Sequence, residues 1–442
     1  MRSARRGRVT ASLATIALSA TAASMLTAAP AAASPANTSQ TTASQATAAQ
    51  TTAAQTTAAS PVTAASDEFY TPPSPLPDGE SGDVIRNEET EFFLDPLKLT
   101  RAPADAQRVM YRSTDTHGDA NAVTGTVLTP HREWDGPGQR PIVGYSAGTQ
   151  GMGDHCAPSK AMAAGMEYEG VFISGMLAKG YAVAITDYEG LGTPGVHTYV
   201  NRKATAHAVL DMVRAARQLP EADLPSDGPV LTAGYSQGGG ASAAAAELQP
   251  SYAPDVDLIG SFAGAPPADL SAVAEKLDGH YAAAFLLFAV ASMHEAYPEL
   301  GIEDILNEKG REVRGQIEER CTADGLLGHL FTRTSELTVD GRPIGDYLDE
   351  EPFRSAVEEQ RIGTLEPQAP VYVAHSRLDD IVPYGQGRDM ARSWCEQGAT
   401  VQFDTLAVPT HVGGYVGAYP KAYAWLDQRV HGEAAPTNCG EF

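Results

Sequence analysis

A serine lies between two glycines in the motif Gly-Tyr-Ser-Gln-Gly at residues 234–238. The apolar run 229–235 leads into this motif, and the small residues 239–248 that follow it suit a helix. A sharp turn between a strand and a helix exposes a serine hydroxyl, and it is the setting in which Gly-x-Ser-x-Gly holds a nucleophile. We therefore predict that Ser236 attacks an acyl group and that the backbone amide of Gln237 binds the resulting oxyanion.

The same pattern occurs a second time, as Gly-Tyr-Ser-Ala-Gly at residues 144–148. The glycine-rich loop 149–155, instead of a helix, follows this second motif. Since a serine flanked by glycines is often only a turn, the context decides between the two, and Ser146 is the weaker candidate nucleophile. We predict that the loop faces the elbow and that an amide of residues 149–151 supplies the second oxyanion donor.

A serine nucleophile needs a base and a carboxylate that orients the base, and in α/β hydrolases the order is Ser, Asp or Glu, His. Asp379 and Asp380 compete for the acid role in the loop after the strand at 370–374. We choose Asp379 because it stands in an Asp-x-x-Val-Pro pattern, and we expect Asp380 to be a solvated neighbour. Of the eleven histidines, only His411 and His431 follow these aspartates. His411 lies in a loop after the last strand and is the predicted base, whereas His431 ends the final helix.

Strands alternate with helices along the chain, which predicts an α/β fold with a mostly parallel sheet covered on both faces. The first two strands are predicted to form an edge hairpin around Gly118. The predicted strands are residues 108–113, 122–128, 141–143, 181–186, 229–235, 257–262, 370–374 and 401–406.

One region, at about 268–365, breaks this alternation and contains only helical runs. An insertion at this point predicts a helical cap, or lid, over the edge of the sheet where ligands bind. The run 281–293 is apolar all round, so it either forms the core of the cap or lines an acyl-chain channel. Both readings stay open, and Tyr235, Phe285 and Phe288 are the predicted substrate-binding side chains.

The N-terminal part of the chain has a different composition from the rest. Residues 1–33 contain four arginines followed by an uncharged run that ends in small residues, which predicts a secretory signal peptide. Residues 34–66 form a low-complexity Ala/Thr/Gln/Ser spacer that is predicted to be disordered, since it has too little apolar surface to bury. The globular domain is then residues 67–442, and we expect a secreted, extracellular protein.

Charge and cysteine content narrow the range of partners. The formal net charge of −24 argues against nucleic acid and anionic membranes as partners. No stretch after the signal peptide is long and apolar enough to predict an integral membrane segment.

Four cysteines in an exported chain predict two disulfides, for which three pairings are possible. No histidine, cysteine and carboxylate cluster has metal-ligand spacing, so we predict neither a metal nor a cofactor.

Several motifs together resemble those of the secretory lipase family, the α/β-hydrolases of the Candida antarctica lipase A type. They are Phe-Tyr-Thr-Pro-Pro at 69–73, Cys-Ala-Pro-Ser at 156–159, the serine motif at 234–238, Asp-Asp-Ile-Val-Pro-Tyr at 379–384, and Cys395 and Cys439. The resemblance implies an α/β-hydrolase fold with an inserted helical cap and the triad Ser236, Asp379 and His411. It also implies the disulfides Cys156–Cys321 and Cys395–Cys439. The family's loop donor, an aspartate in the yeast enzyme, corresponds to Gln150.

These observations favour a secreted serine carboxylic-ester hydrolase, a triacylglycerol lipase of lipid catabolism that acts through an acyl-enzyme on Ser236. One alternative is a short-chain or acetyl esterase on the same fold, because the fold does not fix the substrate. Another is a non-catalytic binding module that retains the fold. The expected partners are a small ester or lipid substrate and, transiently, a lipid interface.

Overall fold

Nine strands form a single mixed sheet, and the computed structural model describes it within residues 66–442. The strands are β1 Val84–Thr90, β2 Ala104–Thr114, β3 Ala120–Pro130, β4 Ile142–Ser146, β5 Ala182–Thr186, β6 Val230–Tyr235, β7 Leu258–Gly264, β8 Val371–Leu378 and β9 Val401–Pro409. Their order is β1-β2-β3-β5-β4-β6-β7-β8-β9. The pairs from β5 through β9 are parallel, and β1, β2, β3 and β5 pair antiparallel, which confirms the predicted α/β architecture. The predicted signal peptide and residues 34–65 of the spacer lie outside the described residues.

The edge of the sheet differs from the prediction. The hairpin of β2 and β3 forms as expected, but β1 pairs with β2 and is the true edge strand. Its sequence, Val-Ile-Arg-Asn-Glu-Glu-Thr, carries five polar or charged side chains in a row and is half-exposed to exposed along its length. Edge strands tolerate such charged residues, so β1 lacks the apolar alternation by which a strand is recognised.

Helices cover both faces of the sheet. One hydrophobic core joins the sheet to α4, α5 and α13, and a second joins the opposite face to α2, α3 and α14. The helices are α1 Ser66–Phe69, α2 Pro158–Ala164, α3 Gly170–Ala178, α4 Arg202–Ala216, α5 Gln237–Tyr252, α6 Leu270–Leu277, α7 Ala284–Ala296, α8 Ile302–Ile305, α9 Glu308–Ile317, α10 Thr322–Gly328, α11 Ile344–Tyr347, α12 Phe353–Glu359, α13 Tyr384–Gln397 and α14 His411–Val430. None of these helices combines the length and the apolar character needed to cross a bilayer.

The segment between β7 and β8 contains helices α6 to α12. Residues 302–317 form two helices, α8 and α9, because Asn307 between them is extended and its side chain accepts a hydrogen bond from the amide of Gly310 at 2.9 Å. This contact caps the new N-terminus of α9 and so ends the preceding turn.

Parallel pairing brings chain segments that are distant in sequence to one edge of the sheet. Strands β4, β6, β8 and β9 all run in the same direction, so the residues that follow them meet at their common carboxyl edge. The loop from Ala147, the turn at Ser236, the loop at Asp379 and the start of α14 therefore share one region.

Candidate active site

Ser236 lies at a strained turn between β6 and α5. Its backbone has φ 60° and ψ −124°, a conformation with positive φ that few residues other than glycine adopt. The turn requires Gly238, because a Cβ atom there would lie 1.9 Å from the carbonyl oxygen of Ser146. The geometry is that of a nucleophile elbow, with the serine presented ahead of the helix N-terminus.

The second Gly-x-Ser-x-Gly motif lies beside the first. Strands β4 and β6 are parallel neighbours, and Ser146 is in register with Gly234. The side chain of Ser146 is wholly buried, with 0% of the residue exposed. Since a buried hydroxyl cannot reach a substrate, Ser146 serves the packing of the elbow, as its carbonyl contact with the turn shows.

His411 and Asp379 form a close acid–base pair. The Nδ1 atom of His411 lies 2.7 Å from Oδ2 of Asp379. The other carboxylate oxygen accepts the amides of Ile381 at 2.9 Å and Val382 at 2.8 Å. Burial raises the pKa of Asp379, but contacts from His375 and His411 outweigh burial and hold it below its ordinary value. An ionised Asp379 keeps the proton of His411 on Nδ1, which leaves Nε2 free to accept another proton.

The structure corrects the expectation that Asp380 is only a solvated neighbour. Its Oδ1 accepts the backbone amide of His411 at 2.8 Å, and its Oδ2 accepts the hydroxyl of Tyr281 at 2.8 Å. Tyr281 belongs to the helical segment between β7 and β8, just before α7. Asp380 therefore ties the candidate base to that segment, while Asp379 alone contacts the imidazole.

The position of His411 also differs from the prediction. Helix α14 begins at His411 itself, whereas the sequence predicts that His411 lies in a loop. Thr410, at φ 66°, is the N-cap residue, and its hydroxyl accepts the amide of Gly413 at 3.1 Å. The first turn contains two glycines, Gly413 and Gly414. Because glycine is a poor helix former, the sequence does not predict a helix at this point.

The two predicted oxyanion residues belong to two different segments, the start of α5 and the loop after β4. Gln237 is the first residue of α5, and its Nε2 lies 2.9 Å from Nε2 of His197. Burial lowers the pKa of His197 to about 4, so this imidazole is neutral and accepts the hydrogen bond. Within residues 66–442 the backbone N–H of Gln150 has no hydrogen-bond acceptor, which leaves it available to a ligand.

A cavity of about 700 Å³ connects these groups. Ser236, His411 and Gln150 all line it, and so do Tyr235 and Phe285. The hydroxyl of Tyr235 donates to the backbone carbonyl of His411 at 2.9 Å, so this ring also supports the candidate base. The cavity thus brings together the predicted nucleophile, the predicted base and an unpaired amide donor.

Phe288 does not line this cavity, contrary to the prediction that it binds substrate. It is 0% exposed and packs in an apolar cluster behind Phe285, with their ring centroids 6.1 Å apart. The two residues are neighbours on one face of α7, one helical turn apart, but only Phe285 lines the cavity. Phe288 supports the wall from behind.

The profile of the secretory lipase family matches residues 156–438, which is more than half of the chain. The chain belongs to the secretory lipase family. A relative from Mycobacterium tuberculosis, named a probable inactive lipase, is 30% identical over 84% of this chain and 84% of its own length. A secreted triacylglycerol lipase from Malassezia restricta is 28% identical over 84% of this chain and 81% of its own. The X-ray structure of Candida antarctica lipase A in its closed state superposes with a TM-score of 0.75 at 25% identity, over 84% of this chain and 87% of that one.

Both disulfides of this secretory lipase family member pair as the resemblance implies, Cys156 with Cys321 and Cys395 with Cys439. The first links the region after the Gln150 loop to the start of α10. Residues 150 and 322 are also joined by a backbone hydrogen bond of 2.9 Å. Among the described residues, His155 groups with Cys156 and Cys321 at metal-ligand spacing, but both of these sulfurs are in the disulfide.

Sequence reasoning missed two residues beside the site, Glu167 and Glu169. Both carboxyl groups contact the loop that carries Gln150. They precede α3 in a stretch without a motif, Gly-Met-Glu-Tyr-Glu-Gly, where acidic residues would be expected to face solvent. No signal in the sequence distinguishes them from surface carboxylates.

Proposed function

We propose that this secretory lipase family member is an active, secreted carboxylic-ester hydrolase and a triacylglycerol lipase. Ser236 is the nucleophile, His411 the general base and Asp379 the carboxylate that orients it. The observation that carries the proposal is that His411, which is paired with Asp379, lines one cavity together with the strained Ser236. The chain order Ser, Asp, His is that of the α/β hydrolases.

The reaction proceeds through an acyl-enzyme. The Oγ atom of Ser236 attacks the ester carbonyl, and Nε2 of His411 takes the serine proton. The amides of Gln237 and Gln150 bind the oxyanion of the tetrahedral intermediate. When the intermediate collapses, His411 gives its proton to the leaving alcohol. Water then attacks the acyl-enzyme, with His411 again as base, and the carboxylic acid leaves while the proton returns to Ser236.

Two narrow apolar cavities near Ser236 favour a substrate that is recognised by its acyl chain. The first runs from Ser236 and Gln237 between α6 and α7, and the second continues deeper into the helical segment. The residues that line both are Leu270, Ala274, Leu286 and Ala289. Apolar walls favour a hydrocarbon chain over a polar acyl group. We therefore assign the segment at about 268–365 as the cap of this enzyme.

The extracellular location is proposed on the same footing. The family is a secretory one, and the relative from Malassezia restricta is named a secreted lipase. Residues 1–33 then act as the signal peptide, and export accords with the two disulfides. Mass spectrometry of the exported protein tests the assignment, since a mature N-terminus close to residue 34 is expected and retained residues 1–33 would contradict it.

The substrate class is tested with p-nitrophenyl esters from acetate to palmitate. Wild-type protein is expected to cleave long-chain esters, and Ala289→Phe should lower the palmitate rate about 10-fold or more while sparing acetate, because one added ring fills a narrow passage. The acetate rate of the same variant is the internal control for folding. Cleavage of acetate alone by the wild type would make the protein a short-chain esterase.

A second candidate function is a non-catalytic binding protein. It is favoured by one observation, the name of the relative from Mycobacterium tuberculosis as a probable inactive lipase. If purified wild-type protein turns over no ester of the series but retains apolar ligands such as fatty acids, the binding function replaces the enzymatic one.

A further inference from the structure

Two carboxyl groups lie directly behind the loop that carries Gln150. Oε2 of Glu169 accepts the backbone amide of Gly148 at 2.7 Å. Oε1 of Glu167 accepts Nε2 of Gln150 at 3.2 Å and the backbone amide of Glu169 at 3.1 Å. The two carboxyl groups therefore hold the loop at two points, one on each side of Thr149.

These carboxyl groups are shielded from solvent. Glu169 is 1% exposed, and it lines the same cavity as Ser236. Glu167 is partly exposed as a residue, but its Oε2 is buried. Within the described part of the chain this Oε2 has no hydrogen-bond partner. Oε1 of Glu169 has none at normal geometry, although the hydroxyls of Tyr145 and Tyr415 lie close enough to lower the pKa of Glu169. A buried acceptor without a donor is costly, and a proton on the carboxyl reduces that cost.

Among the described residues, no cation pairs with either carboxyl group. The titratable groups that act on it are Asp187, which is an acid, and the phenols of Tyr145, Tyr168, Tyr188, Tyr415 and Tyr419. Among the described residues, His155, Lys160 and His411 line the shared cavity but are not among the groups that shift either carboxyl. Ionising both carboxyl groups of the pair at once therefore costs more free energy than ionising one of them.

The protonation of the pair follows from burial. Burial raises the pKa of Glu167 to about 7. Burial, together with the charge of Glu167, raises the pKa of Glu169 well above its ordinary value. Because the two groups titrate as a unit, the pair still holds a proton when Glu167 ionises, and it approaches two negative charges only at alkaline pH.

We propose that Glu167 and Glu169 are positioning residues that hold the Gln150 amide in place to bind the oxyanion, and that they do so only while the pair retains a proton. The inference rests on the proposed function, since an oxyanion forms only if Ser236 attacks an ester. Once both carboxylates are charged they repel each other and pull apart the two contacts that fix the loop. The loop donor then leaves its position, which lowers kcat more than it changes KM.

Two kinds of substitution separate charge from contact. In Glu167→Gln and Glu169→Gln the side-chain oxygen can still accept the loop's hydrogen bond, but the group no longer titrates. In Glu167→Leu and Glu169→Leu the acceptor is lost. Glu189→Gln is the matched control, because Glu189 is also a carboxyl whose pKa is raised by burial, but it contacts Asn121 and Thr198 instead of the loop.

The measurement is kcat and KM for p-nitrophenyl butyrate from pH 5 to 9, followed at the isosbestic wavelength of the product. In the wild type and in Glu189→Gln, kcat is expected to reach an optimum and then to fall at alkaline pH, as the pair loses its last proton. Each Gln variant should lose this upper fall or move it to higher pH. Each Leu variant should lose on the order of 10-fold in kcat at its optimum with little change in KM.

Other results would overturn the proposal. The inference is wrong if the Gln variants keep the wild-type pH profile, or if folded Leu variants keep full kcat. Should the Leu variants not fold, as judged by circular dichroism, the Gln variants carry the test by themselves. Labelling with a fluorophosphonate distinguishes the two levels of failure. If the wild-type protein is not labelled at Ser236 and hydrolyses no ester, both the proposed function and this inference are wrong. If the wild type is labelled and active but the Glu167 and Glu169 variants behave like it, only this inference is wrong.

Discussion

Replacing Asp380 by alanine should damage catalysis moderately, whereas replacing Asp379 should nearly abolish it. The two aspartates are adjacent in sequence but contact different parts of the candidate base. Asp379 contacts the imidazole of His411 at 2.7 Å, and Asp380 accepts its backbone amide at 2.8 Å. The pair of variants thus separates orientation of the ring from anchoring of the helix start.

The expected magnitudes follow from these contacts. Loss of the acid that orients a catalytic histidine lowers kcat by about 10⁴-fold. Asp380→Ala removes two hydrogen bonds to a charged acceptor, but Asp380 is only partly buried and water replaces part of each one. We therefore expect a loss of about 1–2 kcal/mol in the free energy of unfolding and about 10-fold in kcat.

The assay is kcat for p-nitrophenyl butyrate, with the free energy of unfolding measured by urea titration. Tyr281→Phe is the control, since it removes only the contact of Asp380 with the helical segment. It should reproduce part of the stability loss of Asp380→Ala and little of its loss in kcat. Equal losses of kcat in Asp379→Ala and Asp380→Ala would refute the division of roles between the two aspartates.

Three further predictions concern the surroundings of the site. Gly238→Ala should lower activity by at least about 10²-fold or prevent folding, because the added Cβ would lie 1.9 Å from the carbonyl oxygen of Ser146; expression and ester turnover check this. Replacing both cysteines of the Cys156–Cys321 disulfide by alanine should lower the free energy of unfolding by about 2–5 kcal/mol and also lower kcat, because the bridge adjoins the Gln150 loop. Burial raises the pKa of Glu167 from 4.5 to about 7. Between these two pH values the unfolded chain has lost this proton while the folded protein keeps it, so the free energy of unfolding should fall as pH rises through this range. Denaturant titrations should show a smaller fall in Glu167→Gln, by up to about 3 kcal/mol.

Each of these has a matched control. Gly315→Ala, on α9, introduces a Cβ with no atom within 4 Å and should stabilise the protein by about 0.5–1 kcal/mol. Removing the Cys395–Cys439 disulfide should lower stability without lowering kcat, since it joins α13 to the C-terminal residues, away from the cavity. A pH dependence of unfolding that is identical in Glu167→Gln and the wild type would contradict the buried, raised pKa.

The sequence predicted the sheet and the elbow well because both depend on local patterns. The apolar runs of the central strands and the small residues after Ser236 favour a strand and a helix by their own composition, so β4 to β9 lie where expected. The edge strand β1 and the start of α14 were missed for the opposite reason. The polar residues of β1 and the glycines near His411 do not favour a strand or a helix by themselves. These two elements form because of contacts that exist only in the folded chain.

The residues around the site were harder to predict than the reactive ones. Asp379 and His411 follow from the order of a serine hydrolase, but the roles of Asp380, Glu167 and Glu169 depend on tertiary contacts. Nothing in the sequence near Glu169 indicates that it meets the amide of Gly148, which lies 21 positions earlier. Likewise α7 is apolar all round, so periodicity could not tell that Phe285 reaches the cavity and Phe288 does not.

The most direct test of the central claim is mass spectrometry of the protein after reaction with a fluorophosphonate, which phosphonylates an activated serine. The peptide that contains Ser236 should carry the adduct in the wild type and in Ser146→Ala. Ser236→Ala should carry none and should hydrolyse no ester above background. An adduct on Ser146 in the wild type, or ester turnover that persists in Ser236→Ala, would contradict the assignment of Ser236 as the nucleophile.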